Sequence, residues 1–313
     1  MITIMITGMG PTRGARAYGE GVSVTIGLVG AGRRAAEVHA PALSGSADVR
    51  FAGIWSRRPE SARELAHRHH VASYDRFADL LDHCEAVAFA IPPDVQTDLA
   101  AAAARARRAV LLEKPLANDL AGAEEIAVAV TSAGVVSQVA LDWRYAEPVR
   151  QFLAMAAPRT RPLGGSGRVV TASPHDRQRT QPWRFERGVL LGEGPDLIDL
   201  LDAALGRIVG VRAHGDPLGW VGLLLEHAGG RFSEASLCAT AGTPPRAEVE
   251  VFGPGGAAFV NCAAAAGPDS FATMVTEFAA AVAAGKPRGL DVQRGLHLQE
   301  VLDNAETDLF THA

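Results

Sequence analysis

The sequence has few cysteines, no long apolar run and no excess of positive charge. Cys84, Cys238 and Cys262 are far apart and odd in number, so we predict no disulfide framework and expect a reducing cytoplasm. The alanine tract Ala100–Ala104 ends at Arg105, and no apolar run reaches the roughly 18 residues of a membrane span. With 30 Lys+Arg against 35 Asp+Glu, the chain lacks the basic footprint of a nucleic-acid-binding protein. We expect a small-molecule partner instead.

What is present favours a folded protein of about two domains. The chain has 313 residues, of which 48% are hydrophobic and 21% charged, and this composition excludes a disordered chain. The first 21 residues have no basic residue before their short apolar stretch, and Gly8, Gly10 and Pro11 interrupt any helix there. We therefore expect residues 1–21 to be a leader outside the core fold, which begins near Val22.

Apolar strands alternate with helical segments up to about residue 141. The patterns predict strands at Val22–Val29, Val49–Trp55, Ala86–Ile91, Ala109–Leu112 and Val135–Leu141. Between them they predict helices at Arg33–Leu43, Pro59–His69, Asp94–Arg108 and Leu120–Ser132. This alternation is typical of a parallel sheet with right-handed crossovers. The predicted fold class is α/β, with residues 22–141 as the first domain.

Beyond Asp142 the pattern changes to consecutive strands. They are predicted at Arg168–Ala172, Ile208–Ala213, Trp220–His227, Arg231–Ala239, Ala247–Phe252 and Ala257–Asn261. Tight glycine turns between them indicate hairpins, and hence an antiparallel sheet. One helix is predicted to begin at Pro195 and to end before Gly206, and two more lie at Ser270–Ala284 and Val292–Phe310. Residues 142–313 are therefore predicted to form an α+β domain.

A glycine-rich turn follows the first strand and opens a helix. It reads Gly30-Ala31-Gly32-Arg33-Arg34-Ala35, which is the G-x-G-x-x-A pattern. Its glycines permit a tight turn and a close approach of the backbone to a pyrophosphate at a helix N-terminus. In this strand–turn–helix context the motif predicts a dinucleotide site, with Gly30, Gly32 and Arg33 at the phosphates. The alternative is a purely structural turn.

The end of the second strand bears on which dinucleotide binds. Sites for NAD usually carry an Asp or Glu there, which binds the ribose 2′-hydroxyl. This chain has Ser56-Arg57-Arg58 instead, so no carboxylate repels a 2′-phosphate and two guanidinium groups can hold one. We predict that NADP(H) is preferred over NAD(H). In the alternative interpretation, one arginine stacks on the adenine or lies in solvent.

Further motifs occur in order along the chain. They are Ala90-Ile91-Pro92-Pro93, Glu113-Lys114-Pro115 after a buried strand, Asp142-Trp143-Arg144-Tyr145 and Pro182-Trp183-Arg184. With the glycine turn, they make the sequence resemble the Gfo/Idh/MocA oxidoreductase family from Val22 onward. The resemblance implies a Rossmann domain followed by a substrate-binding domain with a large open antiparallel sheet. Since that sheet often forms oligomer contacts in the family, we expect a homodimer or homotetramer.

The resemblance also implies which residues hold the ligands. Beside the glycine turn and Ser56-Arg57-Arg58, the expected cofactor contacts are Ile91, Pro92, Glu113, Lys114, Trp183 and Arg184. The expected substrate contacts are Asp142, Arg144 and Asp199. No metal site is expected, because His67, His69 and His70 lie on a polar helix without a ligand pattern.

Lys114 is the candidate for proton transfer. A hydride that moves between a nicotinamide and a carbonyl carbon requires a proton to move at the oxygen. As an ammonium group Lys114 can polarise a carbonyl and donate a proton, and with a lowered pKa it can accept one. The alternative is a surface lysine after a strand.

The sequence departs from the family pattern where an Asp and, four residues later, a His or Tyr are common. Gly192 stands at the Asp position and Asp196 at the His position, while Asp199 matches a later Asp of the family. Gln96 likewise replaces a His that many members have. The usual acid and imidazole are therefore missing.

Two interpretations of Asp196 remain open. Asp196 replaces the His, either as an acid/base with a raised pKa or as the charge partner of Lys114. Alternatively, Asp196 and Asp199 are acids in the first turn of a helix that begins at Pro195, where the helix dipole favours them.

Together these observations predict an NADP(H)-dependent oxidoreductase acting on a carbonyl or alcohol carbon, with reduction favoured and C=N reduction possible. The resemblance makes a sugar or sugar derivative the leading substrate class. The alternative is a non-catalytic NADP(H)-binding sensor or partner protein, which the missing Asp and His favour.

Overall fold

The computed structural model describes residues 23–171, 182–239, 242–263, 265 and 267–311. The predicted leader therefore lies outside the described residues. Within this part of the chain, no helix is long and apolar enough to cross a membrane.

The first sheet has six strands, all parallel, in the order β3-β2-β1-β4-β5-β6. The strands are β1 Val24–Val29, β2 Val49–Trp55, β3 Ala72–Tyr74, β4 Ala86–Phe89, β5 Ala109–Leu112 and β6 Ser137–Val139. This order brings the ends of β1, β4 and β5 side by side, where a doubly wound sheet binds its ligand. The predicted parallel sheet is confirmed. The sequence pattern missed β3, which has only three residues.

Helices cover both faces of this sheet. After a wide helical turn at Ala35–His39 they are α1 Ala40–Gly45, α2 Pro59–Arg68, α3 Phe77–Asp82, α4 Pro93–Arg105 and α5 Leu120–Ala133. One apolar cluster joins β1 to α1 and α2, and another joins β4 and β5 to α4 and α5. The helix predicted from Arg33 is confirmed in place, but the chain enters it through the wide turn rather than regular α-helix.

Short helical segments connect the two sheets. They are a 3₁₀ turn at Asp142–Tyr145, α6 Glu147–Gln151, a wide turn at Phe152–Ala156 and α7 Ala157–Thr160.

The second sheet is mixed rather than antiparallel throughout. Its strands are β7 Gly164–Val170, β8 Ile208–Gly215, β9 Trp220–His227, β10 Arg231–Cys238, β11 Arg246–Gly253 and β12 Gly256–Asn261, in the order β12-β11-β7-β10-β9-β8. Every pair is antiparallel except β7 and β10, which run parallel. The prediction is wrong at this pair because β7 precedes a long helix and joins the centre of the sheet by a crossover, not by a hairpin.

That long helix, α8 Pro182–Leu205, corrects a second prediction. It is interrupted at Gly188, whose φ of 73° and ψ of −168° are not helical, and an added Cβ there would collide with the Pro217 carbonyl. The chain is helical from Val189, so Pro195 lies inside the helix and does not begin it. Asp196 and Asp199 are therefore not in a first turn, and the helix-dipole interpretation of these acids is wrong.

Two C-terminal helices, α9 Pro268–Ala284 and α10 Val292–Thr311, return to the first sheet. Helix α9 packs with α1 and β1 through Phe271, Met274 and Phe278, all nearly fully buried. Helix α10 packs on α5 and also on α8 and β8. The C-terminal part of the chain thus completes both layers, while the division of the sequence at residue 141 stays a prediction.

Candidate active site

The glycine turn leaves room for a ligand. Gly30 has a φ of 116°, and a Cβ on it would collide with the Ala90 carbonyl of β4. A Cβ on Gly32 would meet no atom within 4 Å. The close approach of the turn to β4 therefore requires glycine at residue 30. At Gly32 the turn faces open space, which fits a bound pyrophosphate. Arg33 is exposed beside it and pairs with Glu37 at 2.8 Å.

The end of β2 carries Ser56-Arg57-Arg58. The Ser56 hydroxyl donates to the Arg58 carbonyl at 2.7 Å and accepts from the Arg58 N–H at 3.2 Å, so it closes the turn into α2. Arg57 and Arg58 are exposed, and neither forms an ion pair within the described part of the chain. Both guanidinium groups are therefore available to a ligand.

The end of β5 is held by a buried amide. Gln96 donates to the carbonyls of Glu113 and Leu116 at 2.9 Å each and accepts from the Glu113 N–H at 2.8 Å. Gln96, which stands where a His is common in the family, thus fixes the turn that presents Lys114. Ile91 and Pro92, at the neighbouring end of β4, are half-buried.

Glu113 is the centre of a buried charge network. Its Oε1 accepts from Arg34 Nε at 2.6 Å and lies 2.7 Å from His39 Nε2. Burial raises the pKa of this carboxyl, but the Arg34 charge and the hydrogen bond from His39 outweigh it and hold the pKa well below its usual range. Glu113 is therefore a permanent carboxylate that secures the first helix to β5.

Arg34 extends this network to the end of β6. Its Nη2 donates to Asp142 Oδ2 at 2.8 Å, while Asp142 Oδ1 is buried without a hydrogen-bond partner. The sequence motif indicated that Arg34 begins a helix but not what its side chain binds. The roles of Arg34 and His39 were missed because their partners lie about 75 to 110 residues away in the sequence.

Lys114 and Asp196 form the second charged pair at this edge. Lys114 Nζ lies 2.5 Å from Asp196 Oδ2 and donates to the Gly192 carbonyl at 3.4 Å. Both side chains are largely buried, and Asp196 Oδ1 has no hydrogen-bond partner. The structure thus brings together Lys114 and Asp196, which one of the two interpretations of Asp196 places side by side as a charge pair.

The protonation of Asp196 is unusual for an aspartate. Burial raises its pKa to about 6, and the charges of Asp142 and Glu193 act in the same direction while Lys114 opposes them. Asp196 consequently changes charge in the range where many enzymes operate, which suits an acid or base.

Asp199 lies one turn further along α8, and both of its carboxylate oxygens accept hydrogen bonds from arginines. It accepts from Arg144 Nη1 at 3.0 Å and from Arg294 Nε at 2.6 Å, and its side chain is 1% exposed. Arg144 is partly exposed, so a substrate contact at this point would be made by Arg144, which Asp199 holds. The predicted substrate roles of both residues stay predictions.

Trp183 is buried near the start of α8, before the interruption at Gly188. The Arg184 side chain lies outside the described residues. Among the described residues, no group of three His, Cys, Asp or Glu side chains could hold a metal ion.

A doubly wound parallel sheet, an open glycine turn and buried charges at the carboxyl ends of the strands define a dinucleotide-binding protein of the Rossmann class. Residues 24–141 match a family model described as an oxidoreductase family with an NAD-binding Rossmann fold. The resemblance to the Gfo/Idh/MocA family is thereby confirmed for these residues, which fold as a Rossmann domain.

Individual relatives agree with this assignment. The chain is 36% identical to inositol 2-dehydrogenase of Rhizobium meliloti (strain 1021) over 100 residues, which are 31% of this chain and 30% of that protein. The aligned part is therefore less than a third of the length of this curated relative.

Two solved structures share the whole fold. GenD2 from gentamicin A biosynthesis, in complex with NAD, is 20% identical with a TM-score of 0.85 over 96% of this chain and 98% of that one. UDP-N-acetylglucosamine 3-dehydrogenase GnnA from Acidithiobacillus ferrooxidans is 18% identical with a TM-score of 0.79 over 92% of this chain and 98% of that one. At this identity they establish the architecture of both domains.

Proposed function

We propose that this protein is an NADP(H)-dependent oxidoreductase that transfers a hydride between its cofactor and a carbonyl or alcohol carbon of a small polar substrate. Reduction is the favoured direction, and a C=N bond is a possible alternative target. The observation that carries the proposal is the buried Lys114–Asp196 pair, with Nζ and Oδ2 2.5 Å apart at the carboxyl edge of the first sheet.

The cofactor would be held along that edge. Gly30, Gly32 and Arg33 would bind the pyrophosphate at the start of the first helix, and Ile91, Pro92 and Glu113 would line the nicotinamide side. When bound, the nicotinamide supplies or accepts the hydride. Trp183 and Arg184 are proposed as further contacts by their resemblance to the family motif.

Lys114 would act on the substrate oxygen. Because the Asp196 carboxylate favours the ammonium form of Lys114, the lysine is suited to donate a proton to the carbonyl oxygen as the alcohol forms. Asp196 then takes the place of the missing His: its carboxylate supports the ammonium and receives the proton when the reaction runs toward oxidation. Arg144, held by Asp199, and Asp142 would orient the substrate.

The preference for NADP(H) rests on the end of β2. Ser56 replaces the usual acid, and the exposed Arg57 and Arg58 have no ion pair that would compete with a 2′-phosphate. The matched family model and GenD2 are described with NAD, so the preference for NADP(H) is proposed from the residues of this chain alone.

A sugar or sugar derivative is proposed as the substrate class. Inositol 2-dehydrogenase and UDP-N-acetylglucosamine 3-dehydrogenase are both named for polyhydroxylated substrates. Buried carboxylates at Asp142 and Asp196 are suitable acceptors for hydroxyl donors.

A homodimer or homotetramer is proposed from the second sheet. The face turned away from α8 exposes large apolar side chains at Trp220, Leu224, Phe232 and Phe252. Such a patch on a soluble protein marks an interaction surface.

The cytoplasm is proposed as the compartment in which the protein acts. The three cysteines are free thiols in the structure, which is in keeping with a reducing environment.

The test follows absorbance at 340 nm with NADPH and with NADH across keto-sugars, other ketones and cyclic imines. Lys114→Ala should lower kcat by about 10²–10⁴-fold, because it removes the proton donor. Replacing Arg57 and Arg58 together by Ser should weaken NADPH binding about tenfold or more and leave NADH binding nearly unchanged. If the folded protein binds NADPH but does not oxidise it with any of the tested substrates, this result would support the sensor hypothesis instead.

A further inference from the structure

Gln96 lies between the two strand ends that the proposed reaction uses. It is on the first turn of α4 and is completely buried. Its main-chain N–H donates to the Pro92 carbonyl at 3.1 Å, so the residue closes the turn that follows β4. Its side-chain amide extends the other way, to the main chain on either side of Lys114. One residue therefore connects the proposed nicotinamide side of the site to the proposed proton donor.

Three short hydrogen bonds fix the orientation of this amide. Oε1 accepts from the Glu113 N–H at 2.8 Å, and Nε2 donates to the carbonyls of Glu113 and Leu116 at 2.9 Å each. A reversed amide would place its donors against the Glu113 N–H and its acceptor against two carbonyls, so only one orientation satisfies all the groups. Because buried main-chain groups need partners, the amide and the turn hold each other in place.

The amide takes the place of a missing strand residue. On the side of β5 that faces β4, the Ala109 N–H donates to the Glu85 carbonyl at 3.1 Å. Alternate residues of a strand bond to opposite neighbours, so Glu113, four residues later, faces the same side as Ala109. Strand β4 ends at Phe89. The Gln96 amide instead supplies the donor and the acceptor that a further residue of β4 would supply.

This arrangement determines where the Lys114 side chain lies. Glu113 and Leu116 flank Lys114 in the chain, and both are bonded to the same amide. The Lys114 side chain extends from this anchored turn to Asp196, with Nζ 2.5 Å from Oδ2. Since a shift of about 1 Å in a reacting group can lower a rate about a hundredfold, the position of the turn bears directly on proton transfer.

We propose that Gln96 is a positioning residue, which holds Lys114 at a fixed place relative to the nicotinamide side of the site and thereby sets kcat. This inference rests on the proposed oxidoreductase function. Gln96 is completely buried, so it acts through Lys114 and not by contact with the substrate or the cofactor.

The test compares Gln96→Met with a matched control, Gln138→Met. Gln138 is also buried, on β6, but its Nε2 donates to the Met274 carbonyl of α9 at 3.1 Å. Each variant loses a buried amide, so the urea midpoint of unfolding should fall in both. Only Gln96→Met should lower kcat, by about 10–100-fold, while its Kd for NADPH stays within about twofold of the wild-type value.

A second variant covers a failure of Gln96→Met to fold. Gln96→Glu has the same shape and keeps the acceptor for the Glu113 N–H, but its carboxylate lacks the two donors. It should show the same selective loss of kcat.

The double variant with Lys114→Ala tests whether Gln96 acts through Lys114. If it does, Gln96→Met should lower the residual kcat of Lys114→Ala by less than about twofold, because the group that it positions is already gone. If Gln96 instead supports the site as a whole, the two losses should multiply. A multiplied loss would overturn the proposal.

The position of Lys114 can also be measured without turnover. The sequence has two lysines, Lys114 and the exposed Lys286. Mass spectrometry after reductive methylation of the NADPH-bound protein therefore follows each one, with Lys286 as the internal standard. Lys114 should react more slowly than Lys286 in the wild type, since it is largely buried and paired with Asp196. Gln96→Met should speed the methylation of Lys114 at least about fivefold, and Gln138→Met should not.

Three results would overturn the inference: wild-type kcat in Gln96→Met, an equal loss of kcat in Gln138→Met, or unchanged methylation of Lys114. The proposed reaction can fail separately. If the wild type reduces none of the tested substrates while Gln96→Met selectively exposes Lys114, the reaction is refuted and the positioning by Gln96 is supported. Turnover that requires Lys114 but is unaffected by Gln96→Met would do the reverse.

Discussion

Helix α8 carries two aspartate clusters one turn apart, and they are built differently. Asp196 has one cationic partner, Lys114, and keeps an oxygen without a hydrogen bond. Asp199 has two arginine partners, and Arg294 continues from it to Asp202 at 2.5 Å. The second cluster is closed by His297, whose Nε2 lies 2.7 Å from Asp202 Oδ1.

The difference in pairing produces opposite electrostatics. Burial raises the pKa of Asp196 to about 6, whereas the hydrogen bond from His297 and the Arg294 charge overcome burial and lower the pKa of Asp202 to about 2. Residue type and helix are the same, so the number of donors decides the outcome. Complete pairing suits a structural role, and incomplete pairing leaves a group that can exchange a proton with a ligand.

The largest effect should come from breaking the complete cluster. Arg294→Met should lower the free energy of unfolding by about 3–5 kcal/mol, because it removes the arginine partner of buried Asp202 and one of the two arginine partners of buried Asp199. Urea unfolding at pH 7 measures this loss. Arg207→Met is the control: its pair with Glu300 is exposed, so the loss should stay below about 1 kcal/mol. Equal losses in the two variants would show that the cluster is not structural.

A smaller effect, dependent on pH, is expected at Asp196. Because its folded pKa is raised, protonated Asp196 stabilises the fold below its unfolded pKa of about 3.9, and this contribution is lost as pH rises through about 6. Between pH 4 and pH 7 the wild type should therefore lose about 2 kcal/mol relative to Asp196→Asn. Parallel pH–stability curves for the two proteins would contradict the raised pKa.

The smallest loss of stability is expected for Lys114→Met. Once the ammonium group is removed, Asp196 can take up a proton at pH 7, so no buried charge is left unpaired. The free energy of unfolding should fall by no more than about 1.5 kcal/mol, as one pKa unit corresponds to about 1.4 kcal/mol. Urea unfolding of Lys114→Met and of Arg294→Met measures the two losses of unfolding free energy under the same conditions. Similar losses in the two variants would mean that both clusters are structural.

Local patterns were enough to predict much of the fold and part of the site. The glycine turn at Gly30 and the strand end at Lys114 each depend on a few consecutive residues. The same local reasoning failed at Pro195, because a proline that often begins a helix here lies within one that starts at Val189. Only the packing around Gly188 and Pro217 reveals that earlier start.

The remaining features depend on contacts that no local pattern encodes. Arg34 meets Asp142 across 108 residues, and Arg294 meets Asp199 across 95. An arginine on a helix surface and one in an ion network look alike in the sequence. The parallel pairing of β7 and β10 was hidden for a similar reason, since the crossover between them includes α8 and a hairpin.

The return of α9 to the first sheet has a consequence for how the chain is made. Phe271, Met274 and Phe278 cover the sheet face formed by Ile26 and Leu28. During synthesis α1 and α2 cover that face only in part until α9 has been added, so the nucleotide-binding half completes its core only after residue 284 has been made. A fragment ending at residue 141 would expose the same apolar face and self-associate.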